Sequence, residues 1–177
     1  YIDATIQDEK VAEFLIDQFV YNFVDNNGLD EADGLIVLFR KHVKDTKSIE
    51  KFNALCTKWE KLRSGNPSAA SFSYPDINGK TVSMTDLKGK YIYIDVWATW
   101  CSSCLKKMPL FLQLADKYRY RNDVEFITIS NDRSKVRPKW LKALQEHDMT
   151  GLVNLMPDMD HVSPFEEAYH ISSVPRY

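Results

Sequence analysis

Trp97-Ala98-Thr99-Trp100-Cys101-Ser102-Ser103-Cys104 places two cysteines, two residues apart, at a change of periodicity. Ahead of it runs Tyr91-Ile92-Tyr93-Ile94-Asp95-Val96, an apolar run with the length and β-branched content of a buried strand. Behind it a lysine-bearing amphipathic pattern predicts a helix over about residues 102–119. A Cys-x-x-Cys at a strand-to-helix junction marks a candidate thiol–disulfide site. A helix N-terminus carries a partial positive charge and unpaired N–H groups, and these stabilise an anion. A cysteine held there ionises more readily, and the thiolate is the form that attacks a disulfide. Cys101, the more N-terminal thiol, is therefore the expected nucleophile, and Cys104, one helical turn further in, the expected resolving thiol.

Working outward, the 177 residues suffice for one domain or a domain with an appendage. Net charge is −2, from 23 basic and 25 acidic residues. That balance gives no basic excess to argue for a nucleic-acid partner. Hydrophobic residues make up 44% of the chain, enough for a packed core, yet no apolar run reaches the roughly 20 residues of a bilayer span. The first residues do not read as a signal peptide, and the chain begins at Tyr1 rather than Met, as an internal start of a longer precursor would. Of three cysteines one is left over, Cys56, on a helical apolar stripe with Phe52, Leu55 and Trp59. A free cysteine so placed is expected to behave as a small buried hydrophobe.

Residues 1 to about 63 read as helical. Val11, Phe14, Leu15, Phe19 and Phe23 recur at three- and four-residue steps and predict one apolar face. Asn26-Asn27-Gly28 breaks that helix; Leu35, Leu38 and Phe39 mark a second. Ile49, Phe52, Leu55, Cys56, Trp59 and Leu62 mark a third, with Ser48 near its start. Ser64-Gly65-Asn66-Pro67-Ser68 ends the helical period and is the expected boundary. Beyond it, Asn78-Gly79 between two short strand-like segments signals a hairpin. Strands at 91–97, 124–129 and 152–155 alternate with helices at 102–119, 138–147 and 164–169, which predicts parallel pairing with helices covering the sheet.

Four features beyond the cysteines carry a family resemblance: the Trp97-Ala98-Thr99-Trp100-Cys101 run, Met108-Pro109 five residues past the second cysteine, Asp95 six residues before the first, and Val174-Pro175. From about Phe72 onward the chain resembles the thioredoxin superfamily, and within it the TlpA/ResA-like branch of thiol–disulfide oxidoreductases. It departs at Ser102-Ser103, where the family commonly has Gly-Pro, and that bears on the redox potential. The resemblance implies an α/β thioredoxin-like fold, a central mixed sheet flanked by helices, preceded here by a small all-helical module. The expected division is a helical module at 1–63, a linker at 64–71 and a thioredoxin-like domain at 72–177. Measured against that fold the sequence stops two residues after Pro175, so the resemblance implies that two strands and a closing helix are missing.

The resemblance also implies roles. Pro175 would be the cis-proline beside the disulfide, and Val174 would offer its backbone to an extended substrate strand. Trp100 would shape the rim where substrate docks. Asp95, flanked by Ile94 and Val96, is poorly solvated as a carboxylate, so its pKa is expected to rise. The resemblance makes it the proton acceptor for Cys104; the alternative is an acid satisfied by backbone or by Lys106 or Lys107. Expected partners are disulfide-containing proteins and an upstream electron-donor protein, with no nucleic acid, no metal and no cofactor. The expected compartment is the bacterial cell envelope, periplasmic or membrane-anchored in the precursor. A zinc site is the competing use of the pair, yet it wants four ligands and this chain offers one Cys pair with His161 and His170 to add. The alternative function is a redox-inactive or weakly active binding module.

Overall fold

The computed structural model describes residues 8–63, 71–158 and 162–177. The chain divides into two compact units, Tyr1–Ala69 and Ala70–Tyr177. Nearly all of the expected linker, residues 64–70, lies outside the described residues.

In the first unit α1 spans Glu9–Asn27, α2 Asp33–His42 and α3 Thr46–Arg63. The Asp8 carboxylate caps α1, accepting the N–H groups of Lys10 (2.9 Å) and Val11 (3.2 Å), two donors that no helical turn can satisfy. Gly28 ends it at φ 78°, where a Cβ would also stand 3.3 Å from the Trp59 ring. Only glycine meets both conditions without strain. The α3 start differs from the expected one. Asp45 accepts the Ser48 N–H at 2.8 Å, while the Ser48 hydroxyl donates across to Asp17 on α1 at 2.8 Å.

The apolar face expected for α1 is not the buried one. Ala12, Ile16, Val20 and Val24 face the core, while Phe14 is 62% and Phe19 52% exposed and Val11 and Leu15 are also in solvent. Of the expected stripe only Phe23 packs partly against the cluster. The helix is thus turned by about a third of a turn from the face that its largest side chains define. The reason is steric. The Ala12-Ile16-Val20-Val24 row is compact and lets α1 approach α2 and α3 closely, where Phe39 and Phe52 stack at 4.0 Å and fill the space between. Cys56 is buried in this same cluster as a free thiol, and burial pushes its pKa up.

The second unit opens with an antiparallel ribbon, β1 Ser73–Pro75 with β2 Thr81–Ser83. Asp76 sets its turn by accepting the N–H groups of Asn78 and Lys80, both at 2.8 Å. Three parallel strands follow: β3 Tyr91–Trp97, β4 Val124–Ser130 and β5 Val153–Leu155, in that order across the sheet. Helix α4 spans Ser102–Tyr118 between β3 and β4, α5 spans Arg137–Glu146 between β4 and β5, and α6 spans Pro164–Ala168 after β5.

Side-chain alternation along the strands feeds two cores. Trp97 and Phe126 join Met108 and Phe111 of α4 and Trp140 and Leu144 of α5 in one. Val96, Ile127, Ile129 and Leu155 point the other way, onto Phe72 and Tyr74 of the ribbon side and Phe165 of α6. On its outer side β3 meets an isolated antiparallel bridge, Val96 with Arg176, which brings the chain after Val174-Pro175 back to the strand that precedes the cysteines.

Candidate active site

Parallel strands present their C-terminal ends together, and there the candidate residues collect. Strand β3 ends at Trp97, the turn closes with the Cys101 N–H donating to the Ala98 carbonyl at 3.0 Å, and α4 starts at Ser102. Cys101 is the N-cap of that helix, its sulfur accepting the Cys104 N–H at 3.2 Å. Cys101 and Cys104 are joined as a disulfide, with Cα atoms 5.3 Å apart. The Ser103 hydroxyl lies 3.4 Å from the Cys101 sulfur. On reduction the Cys101 sulfur inherits a position aimed at by the free N–H groups and the dipole of a 17-residue helix, the setting that lowers a thiol pKa.

Both cysteines are buried, Cys101 at 5% exposed and Cys104 at 1%. Trp100, the residue before Cys101, is 62% exposed, whereas Trp97 is fully buried. The Val174–Pro175 bond is cis. Val174 packs against the hydrophobic cluster that includes both cysteines and also against the cluster of Phe72, Val96 and Phe165. Pro109 lies inside α4, one residue past the buried Met108.

Asp95 lies in β3 on the same pleat as Trp97, and it is buried. Its Oδ1 finds no hydrogen-bond donor among the described residues. Burial pushes the carboxyl from its ordinary value up to about 7, with the Lys107 ammonium pulling the other way. Lys107 is thus the cation that acts on Asp95. A carboxyl titrating near neutrality is able to take up and release a proton at the pH where a thiol must be activated.

Sequence reasoning missed a set of polar residues at the end of β4. Asp132, 5% exposed, accepts the Thr99 backbone N–H at 2.8 Å, the Thr99 hydroxyl at 2.9 Å and the Ser130 hydroxyl at 2.9 Å. Next to it the Asn131 N–H donates to the Trp97 carbonyl at 2.7 Å, and the Asn131 side-chain amide donates to buried Glu166 of α6. The one available signal was a polar pair, Asn131-Asp132, closing an apolar strand. Nothing in spacing pairs it with Thr99, 33 positions away.

No group of three or more His, Cys, Asp or Glu side chains among the described residues is arranged to hold a metal ion, and His161 lies outside them. A cleft of about 750 Å³ opens at the opposite end of the sheet, near Lys90 and Val124 where β3 and β4 begin. Its cations are engaged, Lys90 with Glu125 at 2.6 Å, Arg121 with Asp123 at 2.5 Å and Arg119 with Asp116, and no reactive pair faces it.

The sequence model of the AhpC/TSA family matches residues 66–169, more than half of the chain. The chain belongs to the AhpC/TSA family. Within it, the similar proteins are thiol–disulfide oxidoreductases. ResA of Bacillus cereus is 36% identical over 80 residues, 45% of each chain. ResA of Bacillus subtilis is 29% identical over 126 residues, 70% of this chain and 65% of that one. The chain spans about half the length of most of the curated relatives that it matches. A solution structure of a thiol–disulfide oxidoreductase homologue from Bacteroides vulgatus is 49% identical, with a TM-score of 0.52 over 65% of this chain and 72% of that one. The thioredoxin domain of a Bacteroides vulgatus thiol–disulfide oxidoreductase superimposes with a TM-score of 0.54 at 29% identity, over 60% of this chain and 74% of that one. The fold of this family member is a thioredoxin-like mixed α/β domain preceded by a helical region.

Proposed function

We propose that this chain is a protein thiol–disulfide oxidoreductase that works through the Cys101–Cys104 dithiol. The observation that carries the reading is the disulfide at the N-terminus of α4, with Val174 of the cis-proline loop packed on the same cluster. In the reduced protein the Cys101 thiolate attacks one sulfur of a substrate disulfide. A mixed disulfide forms, and the other substrate sulfur leaves as a thiolate that takes up a proton. Cys104 then loses its proton to Asp95 and attacks the Cys101 sulfur. The second substrate thiol departs, and the Cys101–Cys104 disulfide is restored. Two electrons pass to the substrate, and a donor thiol protein returns them.

In this reading Trp100 forms the rim of the docking surface, and Val174 offers backbone groups to an extended segment of substrate. Pro175 shapes that loop. The substrates are disulfide-bearing proteins of the cell envelope, and the donor resides at the membrane or in the same compartment. Among the described residues no helix is long and apolar enough to cross a membrane. The helical unit at 1–63 serves as an accessory module joined through the linker at 64–71.

The test is catalysed reduction of insulin by dithiothreitol together with trapping. The native protein is expected to accelerate insulin reduction, C101S to abolish it, and C104S to accumulate a mixed disulfide through Cys101. A reduced C104S protein whose Cys101 resists alkylation at neutral pH would leave the chain as a binding module. The reduction potential then sets direction: near about −270 mV the pair acts as a reductant, near about −120 mV as an oxidant.

A further inference from the structure

The turn that presents Cys101 is held from outside itself. Thr99 lies two residues before the sulfur and gives both its N–H and its hydroxyl to the Asp132 carboxylate, at 2.8 and 2.9 Å. Both residues are buried. Asp132 takes a third bond from Ser130, whose hydroxyl oxygen in turn accepts the Asp132 N–H at 3.1 Å. The carboxylate is therefore locked to the end of β4, and none of the ion pairs among the described residues involves it. A buried carboxylate without a cation is costly unless its hydrogen bonds are retained. The Ser130 bonds hold Asp132 to the end of β4, and the two Thr99 bonds tie the segment between buried Trp97 and Cys101 to it.

We propose that Asp132 is a positioning residue for the dithiol, anchoring through Thr99 the Ala98–Cys101 turn that sets the Cys101 sulfur at the mouth of α4. The proposal rests on the oxidoreductase reading only for its catalytic consequence. The physical consequence, a sulfur held where the helix N–H groups reach it, is measured on the reduced protein alone. Because a thiolate is favoured only within reach of those donors, loosening the turn raises the Cys101 pKa. Hydrogen bonding and helix dipole both fall off within a turn.

The experiment measures Cys101 alkylation by iodoacetamide against pH in the full reduced chain, with Cys56 alkylation resolved by peptide mass, and insulin reduction in parallel. The variants are D132A, T99V and T99S. D132A and T99V are expected to move the alkylation midpoint upward and to slow alkylation at pH 7 by about tenfold, the size of one pKa unit. T99S keeps both donors and is expected to return the wild-type profile. T99V retains the backbone bond, so it remains informative if D132A fails to fold. An alkylation profile within twofold of wild type in T99V, with only the melting temperature lowered, makes Asp132 a stability residue and overturns the proposal. T99S as impaired as T99V overturns it too, because the hydroxyl bond would then not be what matters. If the profiles shift as expected while wild-type protein leaves insulin untouched, positioning stands and the oxidoreductase reading fails.

Discussion

Asp95 shows how far one residue is governed by its surroundings. An aspartate in an unfolded chain releases its proton near 3.9, whereas in the folded protein this one holds it to about 7. Below about pH 3.9 both states are protonated and Asp95 costs nothing. As pH rises from there, the unfolded state ionises first, and folding must keep or recover a proton. Stability is lost progressively until the folded carboxyl also ionises near 7, after which the loss is constant. Three pKa units correspond to about 4 kcal/mol, an upper figure for a buried group. D95N is therefore expected to be more stable than wild type by about 2–4 kcal/mol at pH 8, with the difference shrinking as pH falls from 7 toward 4. Urea titrations of the oxidised proteins across that range check it; a gap independent of pH would mean that Asp95 is not the titrating group. In the exchange reaction the same variant is expected to slow release of the mixed disulfide more than its formation, since only the second attack needs a base.

At the scale of elements, α1 is the informative case. Its sequence carries two apolar rows, a bulky one through Val11, Phe14, Leu15 and Phe19 and a compact one through Ala12, Ile16, Val20 and Val24. Period alone cannot rank them, because both recur at helical steps. Packing does, since the closer row buries its side chains completely. I16A is expected to cost about 2–5 kcal/mol, the usual range for truncating a buried Ile. F14A should stay within about 0.5 kcal/mol, as surface changes do. Denaturant unfolding of the two variants decides: equal losses would return Phe14 to the core. In α3 the expected stripe does face inward, with Phe52, Leu55 and Cys56 all buried.

Across the whole molecule, the two hydrophobic cores of the thioredoxin-like unit share no residue with the core of the helical unit. Cys56 belongs to the latter and Cys101 and Cys104 to the former. C56A is expected to leave exchange activity unchanged and to cost about 1 kcal/mol, the scale of a small core truncation. In the unreduced native protein Cys56 is expected to resist thiol reagents until unfolding. Insulin-reduction rates, denaturant midpoints and thiol counts before and after unfolding check these outcomes. A disulfide between Cys56 and either active-site cysteine, found by peptide mapping, would overturn them.

By itself the sequence determined what is local. Strand and helix periods, the hairpin at Asn78-Gly79, the strand-to-helix junction at Cys101 and the spacing of the cysteines all act over a few residues, so a linear reading reaches them. The burial of Asp95 was foreseeable from Ile94 and Val96, but the size of its shift was not, since desolvation depends on everything packed around the carboxyl. Only the tertiary structure decided which row of α1 goes inward, and it alone brought Asp132 to Thr99 across 33 positions. The register of β4 beside β3 puts Ser130 level with Trp97, and that parallel pairing carries the polar end of one strand to the turn leaving the other. Such meetings are set by sheet order and close packing, which no short-range period encodes.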